Sequence, residues 1–391
     1  MPQVHYDPFA YQSHEDPFPT YQRLRDEAPA YYNDELNFWA LSRYEDVKPA
    51  LIDHQTYCSG KGFTLEDIDG VAPPMVLGMD PPDHTRVRAT ISRALTPRRI
   101  AELEDTARKT ATEMLKRIAP VGKGDIITDL GARLPMSVIA RMLRVPEEDQ
   151  DRVRGWADDM VHRDDSYKGI PEKGRQAAGV LYNYFDELVR KRSSDRGDDL
   201  LSQLVEAGEK GEMSHEELVG FCFLLIIAGN ETTTKLIGNM TYQLSLHPRQ
   251  RERLISNPSL IANAVEETLR YDTSTHMMAR TLTRDVQLHG QTMKEGQKVA
   301  LLLASANRDG RHWQDPDTYD VSRDASDHVA FGFGIHHCLG AALARLESRV
   351  VLEEILARIP DFKVDAGGLE RMHSGNVRGY SRVPISFTPR A

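Results

Sequence analysis

Cys338 stands in the run Phe331-Gly332-Phe333-Gly334-Ile335-His336-His337-Cys338-Leu339-Gly340, a single cysteine behind a loop punctuated by glycines. Gly332 and Gly334 allow backbone conformations closed to other residues and a close approach to something flat. The periodicity from Leu339 to Leu356 predicts an amphipathic helix, so Cys338 lies at or just before its N-terminus. There the helix dipole and the free N–H groups favour a thiolate over a thiol. A thiolate at a glycine-lined platform suits a metal that needs one strong axial donor and an open position opposite. Haem iron bound through cysteine is the leading case. On these residues alone a buried structural cysteine beside a turn remains open.

A second group is Asn230-Glu231-Thr232-Thr233-Thr234, which interrupts a helical stretch that is almost wholly apolar from Phe221 to Gly229. An acid and three alcohols inside a buried helix form a local contradiction of the kind that marks functional sites. A polar contact between helices would explain them too. Ala228 and Gly229 thin the helix and leave room for a ligand, and Thr232 can bond the preceding turn or face a cavity. His84 and Arg88, four apart on a helix begun by Asp80-Pro81-Pro82-Asp83, share one face and can grip a carboxylate. A solvated basic face, with Arg86, Arg93, Arg98 and Arg99 nearby, is the competing reading. Glu267 and Arg270, three apart, mean little as an exposed pair.

Together these segments resemble the cytochrome P450 family. The Cys338 run has the form Phe-x-x-Gly-x-His-x-Cys-x-Gly, with His336 where many members carry arginine. Ala228-Gly229-Asn230-Glu231-Thr232-Thr233 is similar to the family's Ala-Gly-x-Glu/Asp-Thr-Thr segment. The resemblance spans essentially the whole chain. It implies a mainly α fold with small β-sheets (α+β), a long central helix over a haem, and one domain over residues 1–391. That domain would pair a helix-rich body with a smaller β-containing region drawn from both ends of the chain.

It also implies roles. Cys338 ligates the iron of haem b (iron protoporphyrin IX), with Phe331, Gly332, His336, Gly340 and Ala228 around it. His84, Arg88 and Arg280 hold the propionates. Glu231 and Thr232 become the acid–alcohol pair that delivers protons as dioxygen is activated. Glu267 and Arg270 form a buried structural network, for which Arg323 is the candidate third member. The stretch from His54 to Pro81 becomes a lid, lined by Phe63, Leu65, Ile68, Val71, Met75 and Val76. Leu224, Leu225, Ala228, Met277 and Met278 complete an apolar substrate wall. Asp272-Thr273-Ser274-Thr275 departs from the family's common Glu-x-Pro-Val, a change that bears on pocket shape and not on haem binding.

The implied activity is that of a haem-thiolate monooxygenase, inserting one atom of O2 into a small-to-medium hydrophobic compound (terpenoid, steroid, fatty acid or polyketide-like). No flavin or dinucleotide motif is present, so electrons come from a ferredoxin or flavodoxin-type donor with its reductase. His337, Arg93, Arg345 and Arg349 are candidates for a basic docking patch. The alternatives are a peroxide-driven peroxygenase or isomerase, and a non-catalytic haem sensor.

The elements that must position these groups read as follows. Helices are expected over residues 17–27, Tyr44–Ile52, Pro97–Ala119, Leu130–Leu143, two stretches within 149–192, and Ser259–Tyr271. Ser214 and Glu217 have capping-box spacing, starting a helix that runs to His247-Pro248. Strands are expected at Ala30–Tyr32, Phe38–Leu41 and Asp125–Ile127, with a strand pair over Met277–Leu288 and a closing hairpin over Gly379–Ile385.

Composition is ordinary for a soluble globular protein: 391 residues, 40% hydrophobic and 28% charged. A net charge of −10 argues against a nucleic-acid partner. Three widely spaced cysteines make no disulfide framework and fit a reducing cytosol. Neither a signal peptide nor a membrane span is legible, so a cytoplasmic monomer is expected.

Overall fold

The computed structural model describes residues 4–66 and 73–390, so Ile68 and Val71 lie outside the described residues. The helices that build the body are α1 (Asp83–Ala94), α2 (Glu104–Ile118), α3 (Arg133–Leu143), α4 (Glu147–Val161), α5 (Glu172–Ser194), α6 (His215–Leu246), α7 (Ile261–Tyr271) and α8 (Ala341–Arg358). Around α6 pack α3, α4, α5, α7 and α8, and α2 lies on α8. With neighbours on every side, α6 is apolar nearly all round instead of striped. Its 32 residues span about 48 Å at the ordinary helical rise.

Both ends of α6 have local causes. Ser214 accepts from the Glu217 N–H at 3.2 Å, and the Glu217 carboxylate accepts from the Ser214 N–H at 2.8 Å. This reciprocal cap contributes about 1 kcal/mol. At the other end Pro248 pushes His247 out of the helical region (φ −117°, ψ 66°). Gly220 lets the preceding loop touch the helix, since a Cβ there would sit 1.9 Å from the Pro74 carbonyl oxygen.

A five-stranded sheet stands beside the helical body. Its strands are β1 (Ala30–Asn33), β2 (Phe38–Leu41), β3 (Tyr57–Cys58), β4 (Met278–Leu282) and β5 (Lys298–Leu301), in the order β1-β2-β5-β4-β3. All neighbours are antiparallel except β2 and β5, which run parallel with Phe38 opposite Lys298. Arg280 in β4 pairs with Val299, which fixes it within the sheet beside the helical body.

Several sequence expectations are corrected. The helix expected over Pro97–Ala119 is two, Pro97–Glu102 and Glu104–Ile118. An i→i+3 bond from Leu103 N–H to the Ile100 carbonyl (3.1 Å) tightens the turn and brings both side chains to the core. The strand near Asp125 is Lys123–Asp125, because the Asp125 carboxylate accepts from the Ile127 and Thr128 N–H groups and opens a π-helical turn. That turn delays α3 to Arg133. The expected Met277–Leu288 pair is absent: Met278–Leu282 pairs with β5, and Val286–Leu288 with Gln291–Met293. The C-terminal hairpin is absent as well, since Tyr380–Arg382 joins Glu370–Arg371 while Pro384–Ser386 lies between Lys123–Asp125 and Lys363–Val364.

No helix among the described residues is long and apolar enough to cross a membrane.

Candidate active site

The Cys338 loop is shaped by its glycines. Gly332 and Gly334 take φ +66° and +69°, and a Cβ on Gly334 would lie 3.0 Å from the Leu51 carbonyl oxygen. The Cys338 N–H closes the loop on the Phe331 carbonyl at 2.9 Å. Helix α8 starts at Ala341 behind Gly340, two residues later than the periodicity suggested. Cys338 retains accessible surface, yet its thiol is desolvated, which places it on the floor of a recess. The expectation of a ready thiolate is therefore corrected. Burial pushes the thiol up, and the Gly340 and Ala341 N–H groups, with Arg88 and Arg345, oppose it without prevailing. A metal that binds such a sulfur displaces its proton outright.

Around this loop the structure gathers cationic and donor groups from three elements. His84 and Arg88 come from α1, Arg280 from β4 and His336 from the loop itself. The His84 and His336 rings lie 4.4 Å apart; one His84 nitrogen lies toward the Ile335 backbone, and Nε2 of His336 is buried without a partner among the described residues. Burial and then Arg280 push His336 down to about 3. His84 is lowered too, by burial and then by Arg88. Arg280 is buried, donates to the Ala279 carbonyl at 2.7 Å, and is pushed down by desolvation to about 10. Arg88 donates to the His337 carbonyl at 2.5 Å. The nearby Asp80 carboxylate is occupied by the Ser59 and Gly60 N–H groups, each at 2.9 Å.

Leaving buried cations and ring nitrogens uncompensated is costly, and an anion at this spot would relieve that cost. Two carboxylates attached to a flat group lying against the glycine loop match this donor set. The residues present fit haem.

On α6 the polar insert is resolved atom by atom. The Thr232 hydroxyl donates to the Ala228 carbonyl at 2.6 Å. Ala228 is exposed and Thr232 half-buried, in the middle of a helix whose Cys222 and Asn230 are fully buried. Open space therefore borders α6 at that turn. Glu231 faces the other way, buried, with the Lys235 ammonium 3.1 Å from its Oε2. On α4, which packs against α6, Asp158 lies 3.2 Å from Arg154, and burial and then Glu231 push its carboxyl up. Sequence reasoning missed Asp158, Arg154 and Lys235. Lys235 had a signal, because a lysine four residues after an acid in an apolar helix asks for a partner. Asp158 had none, since its partner is distant in the chain.

Glu267 and Arg270 join through two parallel bonds of 2.7 and 2.9 Å, and Arg323 reaches Glu267 at 3.3 Å. Arg270 also donates to the Asn307, Pro316 and Thr318 carbonyls, pinning the irregular stretch before the Cys338 loop. Among the residues expected to line a pocket, Phe63, Leu225 and Met278 are half-buried. Val76 packs into the main core and Met277 into the small core with Tyr6 and Phe38, so neither faces open space. Met277 and Met278, adjacent at the edge of a strand, turn to opposite faces and cannot form one wall.

The basic docking patch is corrected too. Arg93 pairs with Glu212, Arg345 with Glu266 at 2.7 Å and Arg349 with Glu104 at 2.6 Å, so three of its four members are already neutralised.

Comparison with known proteins bears on the same segments. The family model described as Cytochrome P450 matches residues 165–369. The chain is similar to Vitamin D(3) 25-hydroxylase of Pseudonocardia autotrophica, 39% identical with 96% of this chain and 95% of the relative covered. It is 38% identical to Cytochrome P450 130 of Mycobacterium tuberculosis, with 95% of both chains covered. Its fold superposes on CYP109E1 from Bacillus megaterium, solved with testosterone, at a TM-score of 0.90 and 32% identity, covering 96% of this chain and 98% of that one. This chain therefore belongs to the cytochrome P450 family, and it is a haem-thiolate monooxygenase by membership.

Proposed function

We propose that the chain binds haem b through Cys338 and oxygenates a hydrophobic, steroid-like substrate, using electrons from a separate protein. The observation that carries this reading is the set His84, Arg88, Arg280 and His336 beside the Cys338 loop, with no carboxylate within ion-pair distance of either arginine among the described residues. These four residues would hold the propionates, and Phe331, Gly332 and Gly340 would frame the ring near the sulfur. When bound, haem supplies the activation of dioxygen and the insertion of one of its atoms.

The remaining work falls to side chains. Ala228 keeps its turn of α6 thin, where open space borders the helix. Thr232 holds its hydroxyl proton on the Ala228 carbonyl and can turn it toward that space. Glu231 supplies protons to Thr232 from the buried side of the helix. Phe63, Leu225 and Met278 contribute apolar surface that positions substrate and excludes water. Glu267, Arg270 and Arg323 serve as scaffold, holding the meander that carries the Cys338 loop.

A relative named for 25-hydroxylation of vitamin D3 and a structural neighbour solved with testosterone support a steroid-like substrate. The sequence has no flavin or dinucleotide motif, which supports a ferredoxin or flavodoxin-type donor with its reductase. A monomer in the cytoplasm completes the reading, consistent with three unpaired cysteines.

The test is a panel of steroids, terpenoids, fatty acids and macrolides titrated into haem-loaded protein while its spin-state spectrum is followed. A steroid binder should then be converted with ferredoxin, reductase and NAD(P)H, gaining one atom from labelled dioxygen. Equal conversion with peroxide alone would point instead to a peroxygenase.

A further inference from the structure

A cleft of about 690 Å³ opens where the helix Phe18–Glu27, the last turns of α6 and the strands Glu370–Arg371 and Tyr380–Arg382 come together. Phe18, Tyr242, Leu246, Arg371, Arg378 and Tyr380 line it. None of them belongs to the Cys338 loop, the propionate cluster or the polar insert of α6, and Tyr242 stands about 15 Å of helical rise beyond Thr232. The volume is that of an ordinary small-molecule site.

Two arginines in the cleft carry charge that nothing matches closely. Arg378 is 7% exposed. Its Nη1 donates to the His14 and Glu15 carbonyls, but its Nε has no hydrogen-bond partner among the described residues. Asp272 Oδ1 stands 3.6 Å from that Nε, beyond hydrogen-bond reach, and is itself buried and unbonded. The other Asp272 oxygen accepts from Gln243 Nε2 at 2.8 Å. Arg371 has no carboxylate partner among the described residues. Its Nη2 donates to the Tyr380 hydroxyl at 2.8 Å, its Nη1 reaches the Gly379 carbonyl at 3.4 Å, and its buried Nε is unbonded. Burial and then Arg371 push Arg378 down, with Asp272 opposing, so the two guanidiniums repel each other across the cleft wall. The remaining charges do not fill the gap: Asp317 pairs with Arg308 at 3.0 Å, Arg25 bonds Ser305, and Glu15 and Asp16 are exposed.

The walls are aromatic. Arg371 lies 3.8 Å from the centre of the Tyr380 ring, and the Tyr242 and Tyr380 rings are 5.2 Å apart. Arg308 lies against both Tyr271 (3.5 Å) and Phe18 (4.1 Å). Leu246, 55% exposed, adds apolar surface at the edge. A guanidinium stacked on a ring keeps its in-plane N–H edge for an acceptor, and a carboxylate is the group that matches that edge. Two such cations held out of water without an anion are costly.

We propose that this cleft is a second ligand site, for a small organic carboxylate on a flat apolar body, held by Arg371 and Arg378 against Tyr242, Tyr380 and Leu246. Binding there is non-covalent and needs no haem chemistry, so it stands or falls separately from the reading of the Cys338 site.

The probe is 2-naphthoate, titrated calorimetrically into holoenzyme whose iron is saturated with an azole, so that the haem side is closed. One equivalent should bind, and the neutral 2-naphthalenemethanol should bind about 10-fold more weakly or worse. Arg371→Gln removes one charge-assisted bond and should weaken naphthoate roughly 10- to 100-fold, with Arg371→Lys recovering part of the loss. Leu246→Glu changes an exposed side chain and should weaken binding in the same direction by placing a like charge at the edge. Haem spectra should match wild type in every variant. No binding, equal binding of the alcohol, or unchanged affinity in either Arg371→Gln or Leu246→Glu overturns the proposal. Inorganic phosphate binding as tightly as naphthoate overturns it too, since the apolar walls would then contribute nothing. If Arg371→Gln fails to fold, Leu246→Glu decides.

Discussion

Arg270 and Glu267 lie three residues apart on α7 and face each other through two parallel hydrogen bonds, of 2.7 and 2.9 Å, with neither side chain exposed. Breaking such a pair strands one buried charge, which typically costs about 3–5 kcal/mol. Arg270 additionally holds three carbonyls of the stretch leading to the Cys338 loop. Arg270→Ala is therefore expected to lose at least that much stability and to fail to retain haem. Denaturant unfolding of apo and haem-loaded protein measures both, and a loss below about 1 kcal/mol would refute the structural role.

Arg280 carries an opposite pair of expectations. It is buried with one backbone acceptor and no ion pair among the described residues, so in the haem-free chain it is a destabilising charge. Arg280→Leu should leave the apo chain as stable or more stable. In the loaded protein the same change removes a charge-assisted bond to a propionate, which typically contributes about 1.5–3 kcal/mol. Haem loss to a scavenger protein should speed up roughly 10- to 100-fold. An unchanged haem-loss rate would remove Arg280 from the propionate site.

The pH dependence of stability has an identifiable contributor in Glu347 on α8. Its side chain is 1% exposed, its Oε1 has no partner, and burial pushes the carboxyl up to about 8. A raised acid stabilises the fold while protonated, so its contribution is present below about 4.5 and is lost as pH climbs through about 8. Glu347→Gln should flatten that decline, gaining about 5 kcal/mol at the alkaline end relative to the acid end. Chemical denaturation across that window checks it, and parallel wild-type and variant curves would contradict it.

Thr232→Ala removes a hydroxyl whose only described bond is to the carbonyl one turn back. Fold, haem binding and substrate binding should survive. Product formed per NAD(P)H should drop several-fold, with the missing reducing equivalents recovered as peroxide. Coupling equal to wild type would show that protons arrive by another path.

Local chemistry was legible in the sequence and tertiary pairing was not. Ser214 with Glu217, Pro248, and the two glycines before Cys338 each act within a few residues, and each does in the structure what its type demands. Long-range compensation left no trace. Arg93, Arg345 and Arg349 read as a basic patch because Glu212, Glu266 and Glu104, which neutralise them, are remote in the chain. Asp158 was invisible for the same reason. The state of the Cys338 thiol was misjudged because a helix terminus can be read from sequence, whereas the desolvation that outweighs it depends on everything packed around the sulfur.

The most direct test of the central claim is the spectrum of the reduced, haem-loaded protein under carbon monoxide. Ligation by Cys338 predicts the strongly red-shifted Soret band of a thiolate, and Cys338→Ser should abolish it while the fold persists. A wild-type spectrum without that band, or a Cys338→Ser variant that keeps it, would contradict the account.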